Sequence, residues 1–136
     1  MERTYVMIKP DGVKRKIVGE IISRIERAGY DIARIKSIIP SIALAKEHYK
    51  ALEGKDYFLP NCEFIASGTV VAMIVYGHNA IDGIRKMIGS TQVEDRLPGT
   101  IRFDFSTELS RNVIHGSDSK ESAEREIELW YPELSS

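Results

Sequence analysis

The sequence lacks the features that would place it in a disulfide-rich, membrane or secreted class. Its 136 residues include a single cysteine, Cys62, which excludes an internal disulfide framework. The longest apolar run covers residues 70–75 and is too short to span a bilayer. The N-terminus has no apolar segment of the kind found in secretory signals. We therefore expect a cytoplasmic protein that does not interact with a membrane.

An excess of charge of one sign is also missing. The chain has 19 Lys and Arg residues against 20 Asp and Glu residues, and its formal net charge is −1. The molecule as a whole does not attract a polyanion, so nucleic acid is not expected as its primary ligand. No Cys or His stands at zinc-ligand spacing from another, and no structural metal is predicted.

The common nucleotide-binding motifs are absent. The segment KPDGVKR lacks the second glycine and the hydroxyl of a P-loop, and neither G-x-G-x-x-G nor the protein-kinase signatures occur. No segment is similar to the aromatic strand of an RNA-recognition motif. A phosphate site in this chain must therefore be local and built from other residues.

The hydrophobic pattern predicts alternating strands and helices in a single domain over residues 1–136. Strands are expected over residues 4–8, 31–39, 69–76 and 112–115. Helices are expected around the stripe Ile21, Ile22 and Ile25, after the caps Ser41, Asn79 and Ser119, and over residues 58–66. Residues 89–112 form a long mixed segment in which TIRFDF alternates like a strand. The order contains the split βαβ pattern, so we predict an α+β class: a ferredoxin-like α/β sandwich with helices packed on a four-stranded antiparallel sheet.

Among three histidines, His115 has the most unusual neighbours. It follows a β-branched run and precedes glycine, serine and aspartate at residues 116–118, which favour a sharp bend before a helix. An imidazole that titrates near neutrality can be a nucleophile or a general base. Glu126 follows eleven positions later and can hold one ring nitrogen. A structural turn histidine would explain the same pattern, and these residues alone leave both interpretations open.

Three cations lie at the ends of predicted elements or in the long loop. Lys9 follows the first strand, Arg85 borders the apolar face of a helix, and Arg102 lies in the loop. Taken singly, each is better interpreted as a solvated surface charge. The other histidines have equally simple interpretations, His48 on a helix surface and His78 in a loop.

The segment NVIHGSDS resembles the active-site signature of nucleoside diphosphate kinases. ERTYVMIKPDGV, VGEII, KEHY, PGTIR and ESAEREIELW also resemble this family and follow in its order, so that the similarity covers nearly the whole chain. It implies a ferredoxin-like core and an enzyme that transfers the γ-phosphate of a nucleoside triphosphate to a nucleoside diphosphate. The implied mechanism is ping-pong through a phosphohistidine, with broad base specificity, in the maintenance of cellular (d)NTP pools.

The resemblance also implies a role for particular residues. His115 would attack through Nδ1, with Glu126 and Ser117 orienting its ring. Phosphate contacts would come from Lys9, Arg85 and Arg102 and from the hydroxyls of Thr91 and Tyr49, and Asn112 would bind the sugar. Tyr57, where the family more often has phenylalanine, would stack on the base, with Leu109 on its other face. The implied cofactor is Mg²⁺ carried by the phosphates of ATP, GTP, ADP, GDP and other nucleotides, without protein ligands.

The sequence departs from the family pattern at three places, of which the first and the third fall in segments that family members use in subunit contacts. Gln92 and Val93 stand where Asn-Pro is common, and Phe103 stands where glycine is usual. The sequence ends at Ser136, soon after Trp130, without the longer C-terminal tail of many members. A homo-oligomer is expected, preferably a hexamer or tetramer, with a dimer as a further alternative.

Two other functions remain as alternatives. The first is a catalytically silent ferredoxin-like interaction module, against which the intact set of His115, Lys9, Arg85, Arg102 and Asn112 argues. The second is sequence-specific nucleic-acid binding, which predicts that the affinity for long oligonucleotides falls steeply with salt.

Overall fold

The computed structural model describes residues 1–109 and 111–135. Its strands are β1 (Glu2–Ile8), β2 (Asp31–Ile38), β3 (Val70–Gly77) and β4 (Ile114–Gly116). They form one antiparallel sheet in the order β2-β3-β1-β4. The predicted four-stranded antiparallel sheet is confirmed, and the strand ends differ from the prediction by one or two residues.

Seven α-helices are found in the described residues. They are α1 (Pro10–Lys14), α2 (Val18–Arg27), α3 (Ile42–His48), α4 (Phe58–Ile65), α5 (Ala80–Ile88), α6 (Ile101–Phe105) and α7 (Lys120–Trp130). Ser41 and Ser119 cap α3 and α7 as predicted, because each side-chain oxygen accepts a backbone N–H three residues later. Within the described ranges, no helix is both long and apolar enough to cross a membrane.

Helices cover both faces of the sheet, because successive side chains of a strand point to opposite sides. On one face, Val6 of β1 and Met73 of β3 pack with Ile21 and Ile25 of α2 and with Ile84 of α5. On the other face, buried side chains of the same two strands pack with α3, α4 and α7; they include Tyr5, Met7, Ala72, Ile74, Ala45, Cys62 and Trp130. The strand β3 is therefore buried on both sides, as its continuous apolar run predicts.

The prediction of strand-like alternation in TIRFDF is wrong, because this segment contains the helix α6. The hydroxyl of Thr100 accepts the backbone N–H of Phe103 at 3.2 Å and caps the helix. Ile101 and Arg102 are buried, whereas Phe103 lies half exposed on the surface. A segment this short carries too few periods to separate a strand from one helical turn, and the cap decides between them.

The start of α5 lies where predicted, but its cap is a different residue. Asn79 adopts a left-handed conformation with φ 50°, and its side chain makes no capping hydrogen bond. Instead, the carboxylate of Glu2 accepts the backbone N–H of Ile81 at 3.2 Å. The first residues of β1 thus stabilise the N-terminus of a helix that is distant in sequence.

We predict that Glu2→Ala lowers the free energy of unfolding by about 1 kcal/mol, because it leaves a helix N-terminal donor without its acceptor. Glu2→Gln keeps an oxygen acceptor at this position and should lower the free energy of unfolding by less. Urea denaturation of the two variants and the parent measures the difference. Equal stability of Glu2→Ala and the parent would show that Glu2 does not stabilise α5.

Candidate active site

The chain turns sharply just before His115. The backbone N–H of Ile114 donates to the carbonyl of Asn112 at 2.8 Å and closes a three-residue turn. Its central residue, Val113, has φ 76°, a conformation that is strained for a β-branched side chain. The strain is concentrated two residues before the imidazole.

The segment of residues 9–12, which leads from β1 into α1, holds this turn from both sides. The N–H of Lys9 donates to the carbonyl of Val113 at 2.8 Å, and the carboxylate of Asp11 accepts the N–H of Val113 at 3.0 Å. Gly12 lets the two segments approach, because a Cβ there would lie 3.1 Å from Cγ1 of Val113. Each backbone polar group of Val113 is therefore bonded to the same segment.

Gly116 has a different role from the one expected. The bend that presents the imidazole lies at Val113, and Gly116 ends β4 without a left-handed φ. A Cβ at Gly116 would lie 2.7 Å from Cδ1 of Ile88 on α5. The glycine allows β4 to approach α5 closely.

One carboxylate oxygen orients both His115 and Ser117. Oε1 of Glu126 lies 2.9 Å from Nε2 of His115 and accepts the hydroxyl of Ser117 at 2.7 Å. Ser117 in turn accepts the backbone N–H of Tyr5 at 3.2 Å, so the hydroxyl is fixed by β1. An ionised carboxylate only accepts, so Nε2 of His115 carries the proton and Nδ1 keeps its lone pair. Nδ1 has no hydrogen-bond partner among the described residues.

His48 is buried beside His115, and its prediction as a helix-surface residue is wrong. Its ring centroid lies 4.6 Å from that of His115, and only 4% of the residue is exposed. Nε1 of Trp130 donates to Nδ1 of His48 at 3.1 Å. Because an indole N–H only donates, Nδ1 of His48 is unprotonated. Burial, with the charge of His115 and Lys9 adding to it, lowers the pKa of His48, which keeps the ring neutral.

Two of the predicted phosphate-binding cations are buried. Burial, together with the nearby charge of Arg102, lowers the pKa of Lys9 to about 7. Burial and the charges of Arg96 and Arg85 lower the pKa of Arg102 to about 10. Such shifts arise where like charges are brought together out of water. The third cation, Arg85, is exposed and donates to the carbonyl of Asp118 at 3.3 Å.

Some groups of these residues are already engaged within the protein. Nζ of Lys9 donates to the side-chain oxygen of Asn112 at 2.8 Å, and the amide nitrogen of Asn112 donates to the carbonyl of Leu109. The two terminal nitrogens of Arg102 donate to the carbonyls of Gly89 and Ile114, while its buried Nε has no partner in the described part of the chain.

A cleft of about 330 Å³ brings most of the predicted residues together. Its lining includes His115, Glu126, Arg85, Arg102, Tyr49, Thr91 and the unpredicted His48. Burial raises the pKa of Tyr49, which keeps its hydroxyl protonated and able to donate. Five predicted residues do not line this cleft: Lys9, Asn112, Ser117, Tyr57 and Leu109. About half of Tyr57 and about half of Leu109 are exposed.

One group of three possible metal ligands lies in the described residues, formed by His48, His115 and Glu126. Its ligand atoms lie within 4.8 Å of one another. Mg²⁺ prefers a shell of oxygen ligands, and this group offers two imidazoles and one carboxylate. The group therefore does not fit a resident Mg²⁺ ion.

The family model described as "Nucleoside diphosphate kinase" matches residues 2–135. The chain belongs to the nucleoside diphosphate kinase family. The resemblance of its motifs to this family is thus confirmed.

Curated members of the nucleoside diphosphate kinase family are similar over nearly their whole length. The chain is 51% identical over 134 residues to the nucleoside diphosphate kinase of Caldanaerobacter subterraneus, covering 98% of this chain and 96% of that protein. It is 54% identical over 132 residues to the nucleoside diphosphate kinase of Mycobacterium bovis, covering 96% and 97%.

A solved structure of the family has the same fold. The Halobacterium salinarum nucleoside diphosphate kinase in complex with CDP matches with a TM-score of 0.92 and 42% identity, covering 96% of this chain and 87% of that one. Together with the sheet described above, this match confirms the predicted ferredoxin-like α+β class.

Sequence reasoning missed His48 as a residue of the cleft. The available signal was its place in KEHY, because helical spacing puts His48 three residues after Ala45, which is buried, and four after Leu44, which packs against the same core. A histidine on the buried side of a helix needs a polar partner. That partner, Trp130, is distant in sequence, and only the fold brings it to His48.

We predict that His48→Phe makes stability less dependent on pH below about 6.5. Because the pKa of His48 is lowered in the folded protein, the unfolded chain binds a proton at His48 at a higher pH than the folded chain does. The free energy of unfolding therefore falls as the pH falls below about 6.5, by at most about 1.4 kcal/mol per pH unit. The variant loses this contribution. It should also be less stable at pH 7.5 by about 1–3 kcal/mol, because the Trp130 N–H loses its acceptor.

Urea denaturation between pH 5 and pH 7.5 measures both effects. His78→Phe is the matched control, because His78 is exposed, and it should keep the parent's pH dependence. An unchanged slope in His48→Phe would mean that His48 is not held neutral.

Proposed function

We propose that this protein is a nucleoside diphosphate kinase that works through a phosphate bonded to Nδ1 of His115. In the first half-reaction, Nδ1 attacks the γ-phosphorus of a nucleoside triphosphate, the bond to the bridging β–γ oxygen breaks, and a nucleoside diphosphate leaves. In the second, another diphosphate takes the phosphoryl group, and the lone pair returns to Nδ1. The observation that carries this proposal is the bond from Nε2 to Glu126, which leaves Nδ1 as the nucleophilic nitrogen.

The charges around the cleft suit phosphoryl transfer. This reaction needs positioned positive charge around an in-line path and little covalent help from the protein. Lys9, Arg85 and Arg102 would supply that charge, and the hydroxyls of Tyr49 and Thr91 would add donors. Because Arg102 and Lys9 are held by backbone and amide oxygens before a nucleotide binds, little reorganisation is required.

Mg²⁺ would enter the site as part of the substrate. The group formed by His48, His115 and Glu126 offers one carboxylate and two imidazoles, whereas this ion prefers a shell of oxygen ligands. The phosphates of the nucleotide do offer them. We therefore propose a magnesium-nucleotide complex as the donor, with no magnesium ligand from the protein.

Broad base specificity is supported by the exposed side chains proposed to contact the base. Tyr57 precedes α4 and Leu109 lies at the end of the long loop, and each is about half exposed. Stacking between an aromatic ring and an aliphatic side chain does not read the hydrogen-bonding edge of a base. Asn112 would contact the sugar through the second N–H of its amide, which the carbonyl of Leu109 does not use. The reaction would balance (d)NTP pools, and we propose this role in the cytoplasm.

The edge of the sheet supports a homo-oligomer. The strand β2 pairs with β3 on one side only, and it exposes 51% of Ile35. Ile39 and Ile42, just after this strand, are 65% and 42% exposed. An exposed edge strand with apolar side chains is unfavourable in water and is usually covered. We propose that a second copy covers it, within a tetramer or hexamer.

We predict that Mg-ATP without an acceptor leaves one phosphate on the protein and that a later diphosphate removes it, as a ping-pong mechanism requires. A phosphoramidate is labile in acid and stable in alkali, unlike an ester on Ser117 or Ser119. Labelling with γ-labelled ATP, followed by acid or alkali treatment and a chase with GDP, measures this. His115→Asn should abolish both labelling and turnover.

His78→Asn is the matched control and should label and turn over like the parent, because His78 lies on the exposed surface. Acid-stable label, or turnover that persists in His115→Asn, would contradict the proposed route. Failure of the parent to label or turn over would favour a silent interaction module.

We predict that nucleotide affinity falls as the pH rises above about 7. The pKa of Lys9 is lowered to about 7 in the free protein, and a bound phosphate would raise it by favouring the ammonium form. Binding then requires proton uptake, with a loss of up to about tenfold in affinity per pH unit. Titration calorimetry with ADP between pH 7.5 and 9.5, in two buffers of different ionisation enthalpy, measures the uptake. Lys9→Met should bind ADP weakly and without the proton uptake of the Lys9 side chain. If this variant takes up as many protons as the parent, a group other than Lys9 binds the proton.

A further inference from the structure

Arg96 is buried in the long loop and bonds four backbone carbonyls. It follows the 3₁₀ turn Val93–Asp95, and 5% of the residue is exposed. Its guanidinium donates to the carbonyls of Ser90 (3.0 Å), Thr91 (3.0 Å), Ser106 (3.2 Å) and Glu108 (2.7 Å). All four partners are uncharged, so these bonds are what compensates the buried cation.

The four carbonyls belong to the two ends of the loop. Ser90 and Thr91 follow α5, whereas Ser106 and Glu108 follow α6. Arg102 makes a second, inner connection of the same kind, from Gly89 to Ile114. The guanidinium groups of Arg96 and Arg102 therefore each join the two ends of the loop. Arg102 also lines the cleft described above.

A guanidinium is suited to this arrangement and an ammonium is not. Its donors lie in a rigid plane and reach several acceptors in fixed directions, whereas a lysine offers one compact charge on a flexible stem. The charge of Arg96 also reaches the cleft, because it helps to lower the pKa of Arg102. Arg96 bonds the carbonyl of Thr91 at one end of the loop. At the other end it bonds the carbonyl of Glu108, which directly precedes Leu109.

We propose that Arg96 is a positioning residue that closes this loop before a nucleotide arrives and so holds Thr91 and Leu109 in their binding arrangement. The consequence for catalysis rests on the function proposed above. All four hydrogen bonds of Arg96 go to carbonyls within the loop, so its effect is expected on the loop more than on the core. Its loss should weaken nucleotide binding and leave the chemistry at His115 largely unchanged.

The test uses Arg96→Ala and Arg96→Lys in the full chain, with Arg27→Ala at the exposed end of α2 as the matched control. Hydrogen exchange of the free protein, followed by mass spectrometry, should show faster exchange in peptides from residues 89–109 and unchanged exchange in β1 and β3. The KM for the diphosphate acceptor should rise at least about tenfold in Arg96→Ala, with kcat within about threefold of the parent. Arg96→Lys should have a KM and a rate of loop exchange between those of Arg96→Ala and the parent. A saturating nucleotide should restore much of the protection of the loop in both variants.

Each other outcome overturns the inference. Unchanged loop exchange would show that Arg96 does not close the loop, and faster exchange with an unchanged KM would show that closure does not position the site. Faster exchange over the whole sheet in both variants would assign Arg96 to general stability. If the parent had no transferase activity, the proposed function would fail by itself, while the loop exchange and the dissociation constant for ADP would still decide the role of Arg96.

Discussion

The strained turn at Val113 is the constraint on which the active-site geometry depends. A β-branched residue with a positive φ is unfavourable by itself, so the surrounding structure must compensate for it. Lys9 and Asp11 do so by bonding both backbone polar groups of Val113. The same turn places Asn112 against the ammonium of Lys9 and starts β4, which carries His115. The strain is thus located where the fold brings a cation, an amide and an imidazole together.

The imidazole is then oriented by groups from three elements. Glu126 of α7 holds Nε2 and also bonds Ser117, which β1 fixes through Tyr5. His48 of α3 packs against His115 and is kept neutral by burial and by its bond from Trp130. The polar groups beside β1 and β4 are therefore arranged so that one ring nitrogen stays free.

Local sequence patterns identified most elements of this fold but not all their stabilising contacts. The apolar runs of β1 and β3 are visible in the sequence, and so are the caps Ser41 and Ser119, because each of these signals acts between near neighbours. The cap of α5 comes instead from Glu2, and α6 looked like a strand because five residues hold too little periodicity. The two errors have different causes. The cap of α5 comes from a residue remote in sequence, whereas the cap of α6 is a local hydroxyl in a segment too short to show a helical period.

The sequence by itself determined the fold class and, through motifs with a known family order, a set of candidate site residues. Hydrophobic periodicity is enough to predict the fold class, because the side chains that a helix or strand buries recur at a fixed spacing along it. Only the tertiary structure decided that His48 is buried beside His115, that the sharp bend lies at Val113, and that Arg96 joins the ends of the loop. The first two features depend on hydrogen bonds and burial between residues far apart in the chain, and the third depends on how a loop folds back on itself. No periodic pattern in the sequence encodes partners of either kind.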